Sequence, residues 1–184
     1  HLEVFKKKNL DVLFFTDPID TFWLSMVGEF EEKKFTSITK GDIDLTAFSD
    51  DKKSKGKKEK VDIEDLVKKI KEVLGESVQD VKASSKLVDS PCCLVAPDTG
   101  MDVQMERIMK IQNKDFKGMP RILEINPEHD IIKKLNTIKN KEDDALKDAA
   151  YLLFDQAKMV EGELPVDIAL FNKRLSKFMG LALK

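Results

Sequence analysis

The chain has 184 residues, 41% of them hydrophobic, with 32 basic and 34 acidic side chains and a net charge of −2. It is long enough for one full domain and a piece of another, and its balanced charge supplies no global field for nucleic acid or an anionic membrane. No run approaches the roughly 18 apolar residues of a membrane span, and the opening His1-Leu-Glu-Val-Phe-Lys is neither a signal nor a transit peptide.

Residues 1–8 have helical character, with Asn9 as a left-handed stop. Leu10 to Phe15 reads as a mostly buried strand closed by Asp17-Pro18. Asp20 is the candidate N-cap of a helix carrying Phe22, Trp23, Met26, Val27 and Phe30, and residues 34–39 alternate like a short strand. Residues 1–48 hold too little apolar surface to fold alone, so they read as the end of a neighbouring domain. The absence of an initiator methionine fits a piece of a longer chain. Residues 49–60 contain six lysines and no apolar residue, which predicts a charged flexible linker. A nucleic-acid tract is the sharper reading of those lysines, but no aromatic residue is interleaved for base stacking.

Beyond the linker, residues 61–184 form a second unit. Asp62-Ile-Glu-Asp65 resembles an acidic capping box for a helix with the apolar stripe Ile63, Leu66, Val67, Ile70, Val73 and Leu74, stopped by Gly75. Residues 78–88 read as a strand with Gln79, Val81, Ala83, Ser85 and Leu87 on one face, and residues 92–96 as a shorter, continuously apolar strand antiparallel to it. The adjacent Cys92 and Cys93 can form neither a framework disulfide nor a zinc site of two-residue spacing, which fits a reducing, intracellular setting. Next comes a short helix with Met101, Met105, Ile108 and Met109 at i, i+4, i+7 and i+8. Such a stripe is either core or contact surface. Flexible, polarizable thioethers suit a surface that adapts to many partners.

A third strand spans 121–125, and Asn126-Pro127 announces a helix through Ile138, with His129 helping to satisfy its first turn rather than acting as a base. The irregular mixture predicts an α+β fold: a small mixed sheet with flanking helices. The pattern is then purely helical over 143–160 and 167–183. The first helix presents Leu146, Ala149, Leu153, Ala157 and Val160; the second presents Ile168, Leu170, Phe171, Leu175, Phe178 and Met179. Paired only with each other, they would leave a large apolar patch in water, so a second copy is expected to complete a four-helix bundle. No nucleophile elbow, zinc-protease pattern, phosphate loop or dinucleotide fingerprint occurs. The chain is therefore expected to lack catalytic residues, metal ligands and cofactor-binding residues of its own.

Four ordered runs support a resemblance: Val12-Leu-Phe-Phe-Thr-Asp-Pro-Ile-Asp20, Lys86-Leu-Val-Asp-Ser-Pro-Cys-Cys-Leu-Val95, Gln104-Met-Glu-Arg-Ile-Met-Lys110 and Leu123-Glu-Ile-Asn-Pro-Glu-His129. Together they resemble the end of the middle domain and the C-terminal dimerisation domain of the ninety-kilodalton heat-shock chaperones, bacterial type. The resemblance implies a cytoplasmic, ATP-dependent chaperone that works as a homodimer on unfolded client proteins, with ATP and Mg bound by a domain outside this sequence. It implies client contacts at Met101, Met105, Ile108 and Met109, and at Phe22 and Trp23 beside Thr21, where an acid is often found. No acidic Met-Glu-Glu-Val-Asp tail follows Leu181-Ala-Leu-Lys184, so no tetratricopeptide co-chaperone is expected. The rival reading is an enzyme accessory domain that keeps the methionine helix in its own core.

Overall fold

A computed structural model describes the chain apart from residues 18, 41–42, 44–61, 98–102, 114–115, 117, 139–143 and 184. The expected linker, 49–60, lies outside the described residues. In order, the elements are α1 (Glu3–Lys7), α2 (Asp20–Val27), β1 (Glu29–Phe30), β2 (Lys33–Lys34), α3 (Glu64–Leu74), β3 (Asp80–Ala83), β4 (Cys92–Val95), α4 (Val103–Gln112), β5 (Ile122–Ile125), α5 (Asp130–Ile138), α6 (Asp144–Val160) and α7 (Ile168–Ala182). Helices and a small mixed sheet alternate irregularly, as expected of α+β. Among the described residues no helix is long and apolar enough to cross a membrane.

The core forms around a three-stranded sheet of order β3-β5-β4. β5 runs parallel to β3 and antiparallel to β4, with Val81 opposite Leu123 and Leu94 opposite Leu123. The expected antiparallel pairing of the 78–88 and 92–96 segments is therefore corrected: β5 inserts between them. The reason is burial. All four β5 residues are enclosed, which suits a central strand, and a central strand is satisfied only by partners on both edges. The first strand is also shorter than its alternation suggests, because residues beyond Ala83 leave the ladder to serve a buried charge. Lys86 Nζ lies 3.2 Å from Glu124 Oε1, and Ser84 Oγ donates to Glu124 Oε2 at 2.8 Å.

One face of the sheet is covered by α3 through Leu66, Ile70 and Leu74, by α5 through Ile132 and Leu135, and by α6 through Leu146, Ala149, Ala150, Leu153, Phe154 and Ala157. The stripe of α3 and its stop at Gly75, at φ +53°, match the sequence reading. The helix after Asn126 begins three residues late, at Asp130 rather than Pro127. Asn126 is buried and acts as a hub: Nδ2 donates to the Val88 and Ser90 carbonyls at 3.1 Å each, and Oδ1 accepts from the Glu128 N–H at 3.0 Å. These bonds hold 126–129 as a turn, and the helix starts at Asp130. His129 Nδ1 then accepts the Ile131 N–H at 3.2 Å, the capping role expected of it.

Residues 10–15 form no strand, and Leu13 and Phe14 are exposed. In place of a 34–39 strand, β1 and β2 form a two-residue hairpin, and further on the Thr39 carbonyl accepts the Ala96 N–H at 3.1 Å beside a Lys40–Ala96 bridge. The hairpin's turn residues Glu31 and Glu32 both take positive φ, 47° and 63°, as a tight hairpin turn requires. The N-terminal segment is nevertheless anchored. Val4 and Phe5 are buried against Leu10, Val12, Ile38, Ile43 and Val88. The Glu3 carboxylate accepts the backbone N–H groups of Val88, at 2.6 Å, and Asp89, at 2.8 Å, and of Ser90, together with the Ser90 hydroxyl.

Burial alone would raise the Glu3 pKa, but the Ser90 hydroxyl and the backbone donors outweigh it and hold the carboxyl at about 2, below its ordinary 4.5. A depressed folded pKa contributes stability that is present above about 4.5 and is lost as pH falls toward 2. Glu3→Gln is expected to loosen this attachment by about 2 kcal/mol at neutral pH, the scale of hydrogen bonds to a charged group. Amide exchange at residues 88–90 should rise while β5 stays protected. Unchanged exchange there would refute the anchor.

Candidate contact surfaces

The first surface surrounds α2. Asp20 lies inside the helix rather than at its N-cap, which is Ile19. The turn is fixed instead by Asp17 Oδ1 accepting the Ile19 N–H at 3.1 Å and Asp20 Oδ2 accepting the Asp17 N–H at 2.9 Å. Gly28, at φ +63°, ends the helix, so Phe30 belongs to the hairpin and not to the helical stripe. Phe15, Trp23 and Phe35 form a ring cluster with centroids 5.9–6.0 Å apart. That cluster fixes Trp23 yet leaves it 43% exposed, beside Phe22 at 48%. Ile19 and Met26 extend the apolar patch. A rigid aromatic platform of this kind offers large apolar area at little entropic cost to a partner.

The second surface is α4. Met101 lies outside the described residues. Met105, Ile108 and Met109 are half-buried, and Ile111 on the same helix is exposed. Among the described side chains of α4 the most deeply buried is an acid, Glu106, which the periodicity of apolar residues does not single out. Its Oε1 lies 2.9 Å from Lys110 Nζ and 3.5 Å from Arg121 Nη2. The i, i+4 spacing of Glu106 and Lys110 is readable in sequence; the arrival of Arg121 is not.

Glu163, in the turn between α6 and α7, completes the group, at 2.8 Å from Arg121, 3.2 Å from Lys110 and 3.6 Å from Lys158. Burial would raise the Glu163 pKa, but Arg121 and Lys110 outweigh it and lower it, and the two acids likewise outweigh burial to raise that of Lys110. Gly118, at φ +81°, passes so close to Glu106 Oε1 and Lys110 Cε that a Cβ there would displace those side-chain ends. The charged group lines a cleft of about 260 Å³.

The third surface is α7. Asp167 caps it, accepting the Leu170 N–H at 2.9 Å. The helix buries no residue: Phe171 and Phe178 are half-covered, while Leu170, Leu175 and Met179 are exposed. Phe178 packs against the core cluster that includes α6, and polar contacts tie the two helices together. Asp148 accepts from Lys177 at 2.7 Å and from Arg174 at 3.3 Å, and the Arg174 guanidinium lies 4.3 Å from the Tyr151 ring centroid. The α6 residues expected at an interface, Leu146, Ala149, Leu153 and Ala157, are instead buried in the protomer's own core against α3 and the sheet. They are not available to a second copy. The core claims them because α6 is the element that covers β4 and α3, so its apolar stripe faces inward.

Neither cysteine is poised for chemistry. Cys92 Sγ donates to the Leu153 carbonyl at 3.2 Å, and burial pushes both thiols up to about 12. Among the described residues no group of histidine, cysteine and carboxylate side chains is arranged to hold a metal ion.

The family model described as Hsp90 protein matches residues 1–184. The chain is 44% identical over 190 residues to the chaperone protein HtpG of Roseobacter denitrificans, with 100% of this chain and 31% of that protein covered. It is 41% identical over 186 residues to the HtpG of Wolbachia pipientis wMel, covering 97% of this chain and 29% of that protein. Against the HtpG of Burkholderia ambifaria it is 40% identical over 179 residues, covering 97% and 28%. The chain thus spans less than a third of the length of these relatives.

Proposed function

The chain belongs to the Hsp90 protein family, and from that premise we propose that it is the self-associating, client-binding portion of an ATP-dependent, cytoplasmic chaperone. Residues 1–48 would close the middle domain, and residues 61–184 would form the C-terminal dimerisation domain. Nucleotide and Mg would be bound by a part of the protein outside residues 1–184. The observation that carries this reading is a folded chain with apolar surface left uncovered in separate places, around α2 and along α7. A partner that is a second copy suits α7, and partners that are unfolded chains suit the aromatic and methionine patches. The accessory-domain alternative requires Met105, Ile108 and Met109 inside the core, and their half-buried positions do not favour it.

A client segment covering about 200 Å² of apolar surface gains roughly 5 kcal/mol before the cost of association, so capture is weak and reversible. Trp23→Ala removes the largest side chain of the α2 patch while leaving the main core untouched. It is expected to weaken binding of a permanently unfolded, reduced and carboxymethylated globular protein about tenfold, as read by fluorescence anisotropy. Wild-type affinity in this variant and in Met109→Ser alike would contradict the client-binding reading.

A further inference from the structure

We infer that Glu163 is a positioning residue: it clamps α4 onto the turn between α6 and α7, so the methionine helix is held by the helix pair assigned to self-association. This rests on the proposed function for its meaning, but its geometry stands apart from it. Glu163 is the point where three elements meet. Its carboxylate takes Arg121 from the start of β5, Lys110 from α4 and Lys158 from α6, at 2.8, 3.2 and 3.6 Å. A second tie runs beside it, Arg107 Nη2 donating to the Glu161 carbonyl at 2.8 Å.

The charge arrangement makes this acid the sensitive member. Glu106 and Glu163 answer three cations, Lys110, Lys158 and Arg121. Arg121 is enclosed, and its Nη1 already lacks a hydrogen-bond partner among the described residues. Removing Glu163 leaves the guanidinium only the longer, 3.5 Å contact to Glu106, and a buried cation short of acceptors is costly. Among the described residues, Lys110 would retain Glu106 of its own helix as its ion-pair partner, and of the polar ties from the α6–α7 turn to α4 the Arg107 contact would remain. The close passage of Gly118 over Glu106 and Lys110 adds to the enclosure without crossing to that turn.

The test uses residues 1–184 and backbone amide exchange without any client, so its outcome is independent of whether α4 binds one. Glu163→Gln keeps the size of the side chain and removes its charge. Exchange across Val103–Gln112 should rise about tenfold, while the amides of β5 and α7 keep wild-type rates. Lys110→Met, a milder change at a more exposed position, should raise α4 exchange about threefold and preserves the test if the first variant does not fold. Lys133→Met, which breaks the exposed pair between Lys133 of α5 and Glu128 in the turn before it, should leave α4 unchanged. Wild-type exchange in α4 after Glu163→Gln, or an increase spread equally over β5, would overturn the assignment.

Discussion

Leu175→Glu is expected to convert a dimer into a monomer, with the dissociation constant raised on the order of a thousandfold. Leu175 lies on a helix with no buried residue and is itself 39% exposed, so the substitution disturbs little inside the protomer. In a two-fold interface the same position occurs twice, so each dimer would have to enclose two carboxylates. At about 2 kcal/mol or more for each, the combined loss exceeds 4 kcal/mol, and every 1.4 kcal/mol is tenfold. Sedimentation across a concentration series measures it, and an unaltered dimer would refute the assignment of α7 as an interface. Leu153→Ala supplies the contrast. That residue sits in the protomer core, so its truncation should lower the stability of the fold, by about 2–5 kcal/mol, rather than select against association.

The second large effect is expected at Glu124, an acid in the middle of the central strand and 2% exposed. It is tolerated there because Lys86 and the Ser84 hydroxyl answer its two oxygens. Glu124→Ala deprives the enclosed Lys86 of its carboxylate, and breaking a buried pair on one side costs about 3–5 kcal/mol. For a chain of this size the melting temperature should fall by roughly 10 °C. The double variant Lys86→Met, Glu124→Leu removes both charges together and should recover most of the loss. A single variant as stable as the wild type would show that the pair contributes nothing to the fold.

What was legible in the sequence followed local signals. The α3 stripe with its Gly75 stop and the α6 and α7 spans are set by periodicity and capping within a dozen residues, and the structure agrees. Long-range pairing was not legible. Nothing local to residues 78–96 shows that β5 will separate two strands adjacent in sequence, because both edges look equally able to pair. Asn126 carried a genuine cap signature, yet the carbonyls of Val88 and Ser90, some 36 residues away, redirected it into a turn.

Among the surfaces, Phe22 and Trp23 are singled out in the sequence by the family resemblance alone, and both are exposed. The inward face of α6 was misassigned because an apolar stripe does not reveal which neighbour will cover it. The anchoring charges of α4 escaped notice because Glu106, Arg121 and Glu163 resemble ordinary surface residues until the fold brings them together.

The order of the strands has a consequence for biosynthesis. The middle strand of the sheet is the last of the three to leave the ribosome, since β5 follows β3 and β4 in the chain. Until residues 122–125 emerge, the two outer strands lack their hydrogen-bonding template, and Leu94, Val95 and Val81 have no sheet to enter. A nascent chain arrested before residue 122 should therefore be protease-sensitive throughout 78–96, and protection should appear in one step once the template strand is released.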